Sequence, residues 1–410
     1  MPRIHLQIGI FGFGCVGQGL YETLERSGSV PATIRKICVR DRNKPRNLPA
    51  DRFTYDPADI LQDPQIDVVV ELIDDAEAAY DYVTQALKAG KAVVSANKKL
   101  LADHFEEILA LQAETGSPFL YEAAACASIP IIRNLEEYYD NDLLQGIQGI
   151  FNGSSNYILS RIFRENCDFQ TALRSAQAAG FAESDPTLDV DGFDAAYKLS
   201  ILTAHAFGAR VEPAAILRQG IRGIGPADLA FAREKGWRLK LVARAVRSEG
   251  QLLASVLPRF VRPEDPLYAV EDEHNAVLLE GAFSDVQLFR GKGAGSLPTG
   301  SAVLSDISAL GYGYRYEYRK ARAECWPPAD FRLRVYVRYA DPATISELQF
   351  EEIEESYRSQ QSRYVTGVVR ARELQHFFAS PGSQDTFVAE LPDGQPQAIH
   401  PSHQAVPTLN

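Results

Sequence analysis

Ile8-Gly9-Ile10-Phe11-Gly12-Phe13-Gly14-Cys15-Val16-Gly17 is the stretch that decides the fold. An apolar run, Leu6–Phe11, leads directly into GxGxxG, and Val16–Ser27 continues with helical spacing. Gly12 permits a tight turn, Gly14 lets the backbone approach a pyrophosphate, and Gly17 allows the helix to pack close to the strand. Phe13, Cys15 and Val16 complete the loop. The helix N-terminus adds N–H donors and a positive dipole end for phosphate.

The same alternation continues on the C-terminal side. Ile34–Val39, Asp67–Leu72, Ala92–Ala96 and Phe119–Glu122 read as strands, and Ala76–Ala89 and Asp103–Glu114 as helices. The strands are continuous Val/Ile-rich runs, as burial on both faces of a parallel sheet requires. The fold class is therefore α/β, a Rossmann-type doubly wound parallel sheet. The second strand ends Val39-Arg40-Asp41-Arg42. An acid at this point would bind the ribose hydroxyls, whereas an arginine accommodates a 2′-phosphate. Arg40 favours NADP, and Asp41 leaves NAD open.

From Ile129 the texture changes. Ile129–Tyr139, Ser155–Arg164, Phe169–Ala179 and Asp191–Phe207 read as helices. Gly146–Phe151, Leu239–Val246, Leu252–Phe260, Val277–Phe283 and Val286–Phe289 read as strands. This pattern predicts an α+β second domain with a mixed sheet. The predicted organisation is a dinucleotide-binding domain over 1–128, completed by a helix returning at about 299–320, and a catalytic domain over 129–298. A small α/β appendage follows over 329–378, in which Phe331–Tyr339 and Tyr364–Arg370 read as strands and Ile345–Ser359 as a helix. Residues 379–410, rich in Pro, Gln, Ser and Gly, read as a disordered tail.

Composition narrows the classes of partner. The chain has 410 residues, 42 Lys plus Arg against 54 Asp plus Glu, and a net charge of −12. That balance disfavours nucleic acid or an anionic membrane as partner. No run of 18 apolar residues exists for a membrane span. The N-terminus shows no signal-peptide pattern, so a cytoplasmic location is expected. Cys15, Cys38, Cys126, Cys167 and Cys325 are odd in number and widely spaced, which predicts reduced and mostly buried thiols.

Three polar clusters stand out. Ser95-Ala96-Asn97-Lys98-Lys99 follows a strand, where ligands bind in open α/β sheets, although two lysines can also simply solvate a loop. Glu183 to Lys198 holds five acids and one lysine. Asp194 and Lys198 are spaced i, i+4 and share a helix face, which serves either proton transfer or a plain helix-start ion pair. Asn152-Gly153-Ser154-Ser155-Asn156 offers hydroxyls and N–H groups between a strand and a helix, for a carboxylate or for N-capping.

Together these stretches resemble the homoserine dehydrogenase family, in order from residue 8 to about 310. The carrying segments are GIFGFGCVG, VVVELI, ALKAGKAVVSANKKLL, FNGSSNYIL, GFAESDPTLDVDGFDAAYKLSIL and GKGAGSLPTGSAVLSD. The resemblance implies NAD(P)-dependent interconversion of L-homoserine and L-aspartate 4-semialdehyde on the way to threonine and methionine, in a homodimer, with the α+β second domain as the substrate and dimerisation domain. It implies Lys198 as acid/base lysine with Lys98 beside it, and Glu183, Asp194, Asp189 and Ser154 as substrate contacts. It places Ser95, Lys98, Gly180 and Gly293 near the nicotinamide. It also implies a monovalent cation, usually sodium, on Glu122 and the main chain of Ala125, Ala127 and Ile129. The chain departs from the family pattern at three places. EASVGGGIP becomes Glu122-Ala123-Ala124-Ala125-Cys126-Ala127-Ser128-Ile129-Pro130, ELIGG becomes Glu71-Leu72-Ile73-Asp74-Asp75, and Phe181 replaces an aromatic hydroxyl. A reductase of another small amino-acid aldehyde and a non-catalytic NADP-binding paralogue are the rival readings.

Overall fold

The apolar runs of the first 125 residues form a six-stranded parallel sheet. The computed structural model describes residues 4–398 apart from 142, 249, 322–329, 361, 381, 382, 384 and 393–396. Its first elements are β1 (Leu6–Phe11), α1 (Cys15–Ser27), β2 (Ala32–Cys38), β3 (Phe53–Thr54), α2 (Ala58–Leu61) and β4 (Val68–Glu71). Then come α3 (Ala76–Lys88), β5 (Ala92–Ser95), α4 (Lys98–Thr115), β6 (Phe119–Leu120) and α5 (Glu122–Cys126). The strand order is β3-β2-β1-β4-β5-β6, with every pairing parallel. Ile8, Ile10, Val68, Val69, Val70, Val93 and Val94 are wholly buried, so helices cover both faces. The strand order reverses beside β1, and the crevice outside the strand C-termini there is where such folds bind ligands.

The remaining elements begin with β7 (Leu144–Ile150), α6 (Gly153–Glu165), α7 (Phe169–Ala178), α8 (Thr187–Val190), α9 (Phe193–Phe207) and β8 (Leu217–Arg218). They continue with α10 (Pro226–Glu234), β9 (Arg238–Ser248), β10 (Gln251–Val261), β11 (His274–Gly281), β12 (Asp285–Lys292) and α11 (Ser296–Leu310). The last are β13 (Phe331–Arg338), α12 (Pro342–Ile345), β14 (Phe350–Arg358), β15 (Arg363–Arg370), α13 (Ala371–Ala379), β16 (Phe387–Glu390) and β17 (Gln397–Ala398).

Contacts divide the chain into two units. One is Met1–Asp140, Ser200–Gly208 and Gly291–Lys320; the other is Asn141–Leu199, Ala209–Arg290 and Ala321–Asn410. The first unit thus extends past residue 128 and takes in the second half of α9. It also takes α11, because α1 and α11 touch through glycines. A Cβ on Gly19 would lie 1.9 Å from the Ser296 carbonyl oxygen, and one on Gly300 would lie 2.4 Å from Gly19. Of the helix expected over 129–139, residues 132–138 are helical, α at 132–133 and π over Asn134–Tyr138.

The second unit is built on a mixed sheet with the order β12-β11-β7-β9-β10-β16-β13-β15-β14, with β8 added to β10 and β17 to β13. Three expectations are corrected here. The segment expected as a helix over 345–359 is largely β14, an edge strand paired to β15. Its glutamates have helix propensity, but cross-strand arginines hold them extended: Arg332 and Arg370 reach Glu351 at 2.6 Å, and Arg334 reaches Glu354 at 2.6 Å. Residues 379–410 are not a disordered tail throughout. β16 is buried and pairs with β13 on one side and β10 on the other; residues 399–410 lie outside the described residues. For the same reason the described part of 329–378 is no separate appendage. Phe331, Leu333 and Val335 share one core with Leu253 and Leu257 of β10.

Among the cysteines, Cys38 and Cys126 are buried, Cys167 is half-buried and Cys15 is exposed in the glycine loop; Cys325 lies outside the described residues.

Candidate active site

The nucleotide end is formed in the first unit by the turn between β1 and α1. Gly12 has φ +94°, and a Cβ there would lie 2.5 Å from the Leu72 carbonyl oxygen, so only glycine fits. Gly14 is exposed, and nothing lies within 4 Å of where its Cβ would be. No side chain caps α1, so its first N–H groups stay open to phosphate. Phe13 is buried against Phe53 and Tyr21, while Cys15 and Val16 line the outer side of the turn. Gly17 touches Gly12: its Cβ would lie 2.7 Å from the Gly12 carbonyl oxygen.

The residues after β2 carry the Arg40-Asp41 pair. The Asp41 carboxylate turns back into its own loop and accepts the Asn43 N–H at 2.8 Å. Arg40 is exposed, and Arg42 lies 4.5 Å over the Tyr55 ring. Asp41 itself is also exposed, so the loop presents both the Arg40 guanidinium and a carboxylate.

At the C-terminal ends of β4 and β5, a buried carboxylate organises the Ser95–Lys98 turn. Glu71 accepts the Ser95 hydroxyl at 2.6 Å and the Ile73 N–H at 2.7 Å. Burial pushes Glu71 up to about 7. Ser95 Oγ in turn accepts the Asn97 N–H at 3.0 Å, and Asn97 caps α4 through Leu100 N. Lys98 is the first residue of α4 and is half-buried, whereas Lys99 pairs with Asp103. Sequence reasoning passed over Glu71 as a residue that shapes this turn. Its acidic character inside an otherwise apolar strand, VVVE, was the available signal.

The second unit gathers the polar cluster around the start of α6 and the first turn of α9. Lys198 is buried and donates to Asp194 Oδ2 at 2.9 Å and to the Phe151 carbonyl at 2.7 Å. Asn152, at the N-cap of α6, donates through one amide to Asp194 at 2.9 Å and to Asp189 at 2.7 Å. Asn152 thus links Asp189 with Asp194 and Lys198, a link the sequence did not foresee. Its capping role was legible; the reach of its amide across to α8 and α9 was not. Ser154 donates its hydroxyl proton to the Phe181 carbonyl, tying the 180–184 loop to α6 and leaving the oxygen as an acceptor. Gly180 makes the left-handed turn at φ +75° that starts this loop. Glu183 is exposed beyond it. Gly293 belongs to the first unit and is buried.

For a monovalent cation, the donor set fits. Glu122 is buried and accepts N–H groups from Ile131 (2.6 Å), Ile132 (2.8 Å) and Arg133 (2.9 Å). Oε2 takes only one of these and retains a lone pair. Ala125 and Ala127 are both buried. A carboxylate together with main-chain carbonyls is the donor type a hard cation prefers. Arg133, 3.7 Å from Glu122, supplies competing positive charge.

A glycine loop opening a helix at the switch of a doubly wound sheet, with a buried lysine–carboxylate centre in a separate unit, defines a dinucleotide-dependent oxidoreductase. Comparisons with known proteins agree. The family model for homoserine dehydrogenase matches residues 130–308, and that for the homoserine dehydrogenase NAD-binding domain matches residues 12–122. Homoserine dehydrogenase of Bacillus subtilis is 37% identical over 314 residues, covering 74% of this chain and 72% of that one. The crystal structure of a homoserine dehydrogenase from Thiobacillus denitrificans superposes with a TM-score of 0.82 at 29% identity, covering 95% of this chain and 98% of that one. A hyperthermophilic archaeal homoserine dehydrogenase in complex with NADPH gives a TM-score of 0.66 at 27% identity, covering 76% and 99%. The chain belongs to the homoserine dehydrogenase family.

Proposed function

We propose that the chain interconverts L-homoserine and L-aspartate 4-semialdehyde with NADP, in amino-acid biosynthesis, and that Lys198 moves the proton. The observation that carries this reading is the Lys198–Asp194 pair, buried and anchored by Asn152 and the Phe151 carbonyl. The nicotinamide, when bound, supplies the hydride acceptor for C4 of homoserine, or the donor to C4 of the aldehyde. In the reductive direction the Lys198 ammonium gives its proton to the aldehyde oxygen; in the oxidative direction the amine takes the hydroxyl proton. Lys98 assists, and Gly12, Phe13, Gly14, Cys15, Val16, Gly17, Ser95, Gly180 and Gly293 hold the cofactor. Glu183, Asp194, Asp189 and Ser154 hold the amino acid.

Arg40 supports NADP over NAD, since its guanidinium can pair bidentately with a 2′-phosphate. Glu122, Ala125, Ala127 and Ile129 would hold a sodium ion that fixes the turn after β6. A homodimer is supported by β12, an edge strand carrying exposed Val286 (44%) and Leu288 (46%) beyond an 87%-exposed Phe283. Among the described residues no helix is long and apolar enough to cross a membrane.

Steady-state assays with homoserine test this directly, using each cofactor, with and without sodium, on the wild type and Arg40→Ala. The expected result is turnover stimulated by sodium, with the Michaelis constant for NADP rising in Arg40→Ala far more than that for NAD. Absence of turnover on homoserine removes the assignment. Equal effects on both cofactors remove Arg40, and indifference to sodium removes the cation. Light scattering at the mass of one chain would remove the dimer.

A further inference from the structure

Lys240 lies on β9 and is 1% exposed, and nothing in the reaction uses it. Burial pushes its ammonium down to about 7; Arg238 and Arg290 push the same way, and Asp272 opposes them. A methionine of similar length would fill this core without that desolvation cost. The lysine must therefore do something that an apolar side chain cannot.

Its contacts show what. Lys240 Nζ donates to Asn156 Oδ1 at 3.1 Å and to the Val270 carbonyl. With Oδ1 held by the ammonium, the Asn156 amide faces one way only. Its Nδ2 then donates to the carbonyls of Val270 (3.2 Å), Asp272 (3.0 Å) and His274 (3.2 Å). Asn156 is 1% exposed and lies in the first turn of α6, where its own N–H bonds the Asn152 carbonyl at 3.3 Å. The clamped turn also bears directly on the loop before α6. A Cβ on Gly153 would lie 2.7 Å from the Glu273 carbonyl oxygen. A displaced 270–274 turn would therefore press on Gly153 and shift Asn152, whose amide holds Asp189 and Asp194.

We propose that Lys240 is a positioning residue: by orienting Asn156 it clamps the 270–274 turn against Gly153 and so sets the place of Asn152, Asp194 and Lys198. The inference rests on Lys198–Asp194 being the acid/base centre. It adds a second set of residues, on β9 and before β11, that controls the geometry without touching substrate or cofactor.

Lys240→Met, Asn156→Ala and the double variant test it. The readouts are kcat and KM with homoserine, NADPH affinity by fluorescence titration, and a melting curve. Each single change should lower kcat/KM for homoserine by about tenfold or more, the scale of losing an orienting partner. NADPH affinity should stay within about twofold. The double variant should be no worse than the poorer single one, because both act through one turn. Normal kcat/KM in Lys240→Met overturns the proposal, and so do single losses that multiply in the double variant. Should Lys240→Met fail to fold, Asn156→Ala decides alone, and normal kcat/KM there overturns it. Wild-type chain inactive on homoserine would refute the functional reading and this proposal together. Wild-type turnover with unaffected variants refutes the positioning role only.

Discussion

Ala127 stands where the family pattern has a glycine, and the backbone there kept the glycine conformation. Its φ is +46° and ψ −107°, a region a side chain rarely enters. A strained alanine therefore belongs to the candidate cation site itself. Ala127→Gly should stabilise the chain by about 1 kcal/mol, the scale on which such strain is relieved. A melting curve unmoved or lowered by the change would contradict that. The sequence made this residue visible only as a departure from a pattern. Its cost became visible once the dihedral angles were known, because nothing in Ala-Cys-Ala-Ser says which residue takes the turn. Asn152 shows the complementary case. An Asn before a helix is read as a cap, but the partners of its amide come from residues about 40 positions away.

At the scale of elements, periodic and apolar segments were legible, and segments whose state depends on partners were not. β1, β4 and β5 announce themselves because burial on both faces leaves only one composition. β14 does not: FEEIEESYR carries helix formers and becomes a strand through Arg332, Arg334 and Arg370 across the sheet. β16, only four residues long, was hidden among Pro, Gln, Ser and Gly, yet Arg244 and Glu390 meet at 2.7 Å with side chains 5% and 7% exposed. Burial disfavours the Arg244 charge, and Glu390 opposes that. Glu390→Ala leaves the guanidinium buried without its partner. It should destabilise the fold by about 3 kcal/mol or more. Denaturant midpoints compare the two chains, and an unchanged midpoint would show that β16 is dispensable.

At the scale of the whole molecule, two buried groups shape stability against pH in opposite directions. Glu71 is raised from 4.5 to about 7, so folded Glu71 keeps a proton that the unfolded chain releases. Its contribution is complete below about 4.5 and is lost as pH rises through about 7. Lys240 is lowered from 10.5 to about 7, so its contribution grows as pH rises from about 7 toward 10.5. Glu71→Gln, which mimics the protonated acid toward Ser95 and Ile73, should remove the loss of stability between pH 5 and 8, leaving the alkaline side unchanged. Parallel melting curves of variant and wild type across that range would contradict the assignment.

The central claim is that Lys198 moves the proton while other residues hold the substrate, and single-site kinetics test it most directly. Lys198→Ala should lower kcat with homoserine by about 10²-fold or more, the usual scale for losing a general acid/base. Homoserine should still bind through Glu183 and Asp194, so its affinity should fall less than kcat. NADPH affinity should hardly change, and the melting temperature must show a folded chain. A folded Lys198→Ala that turns over homoserine near the wild-type rate would contradict the account.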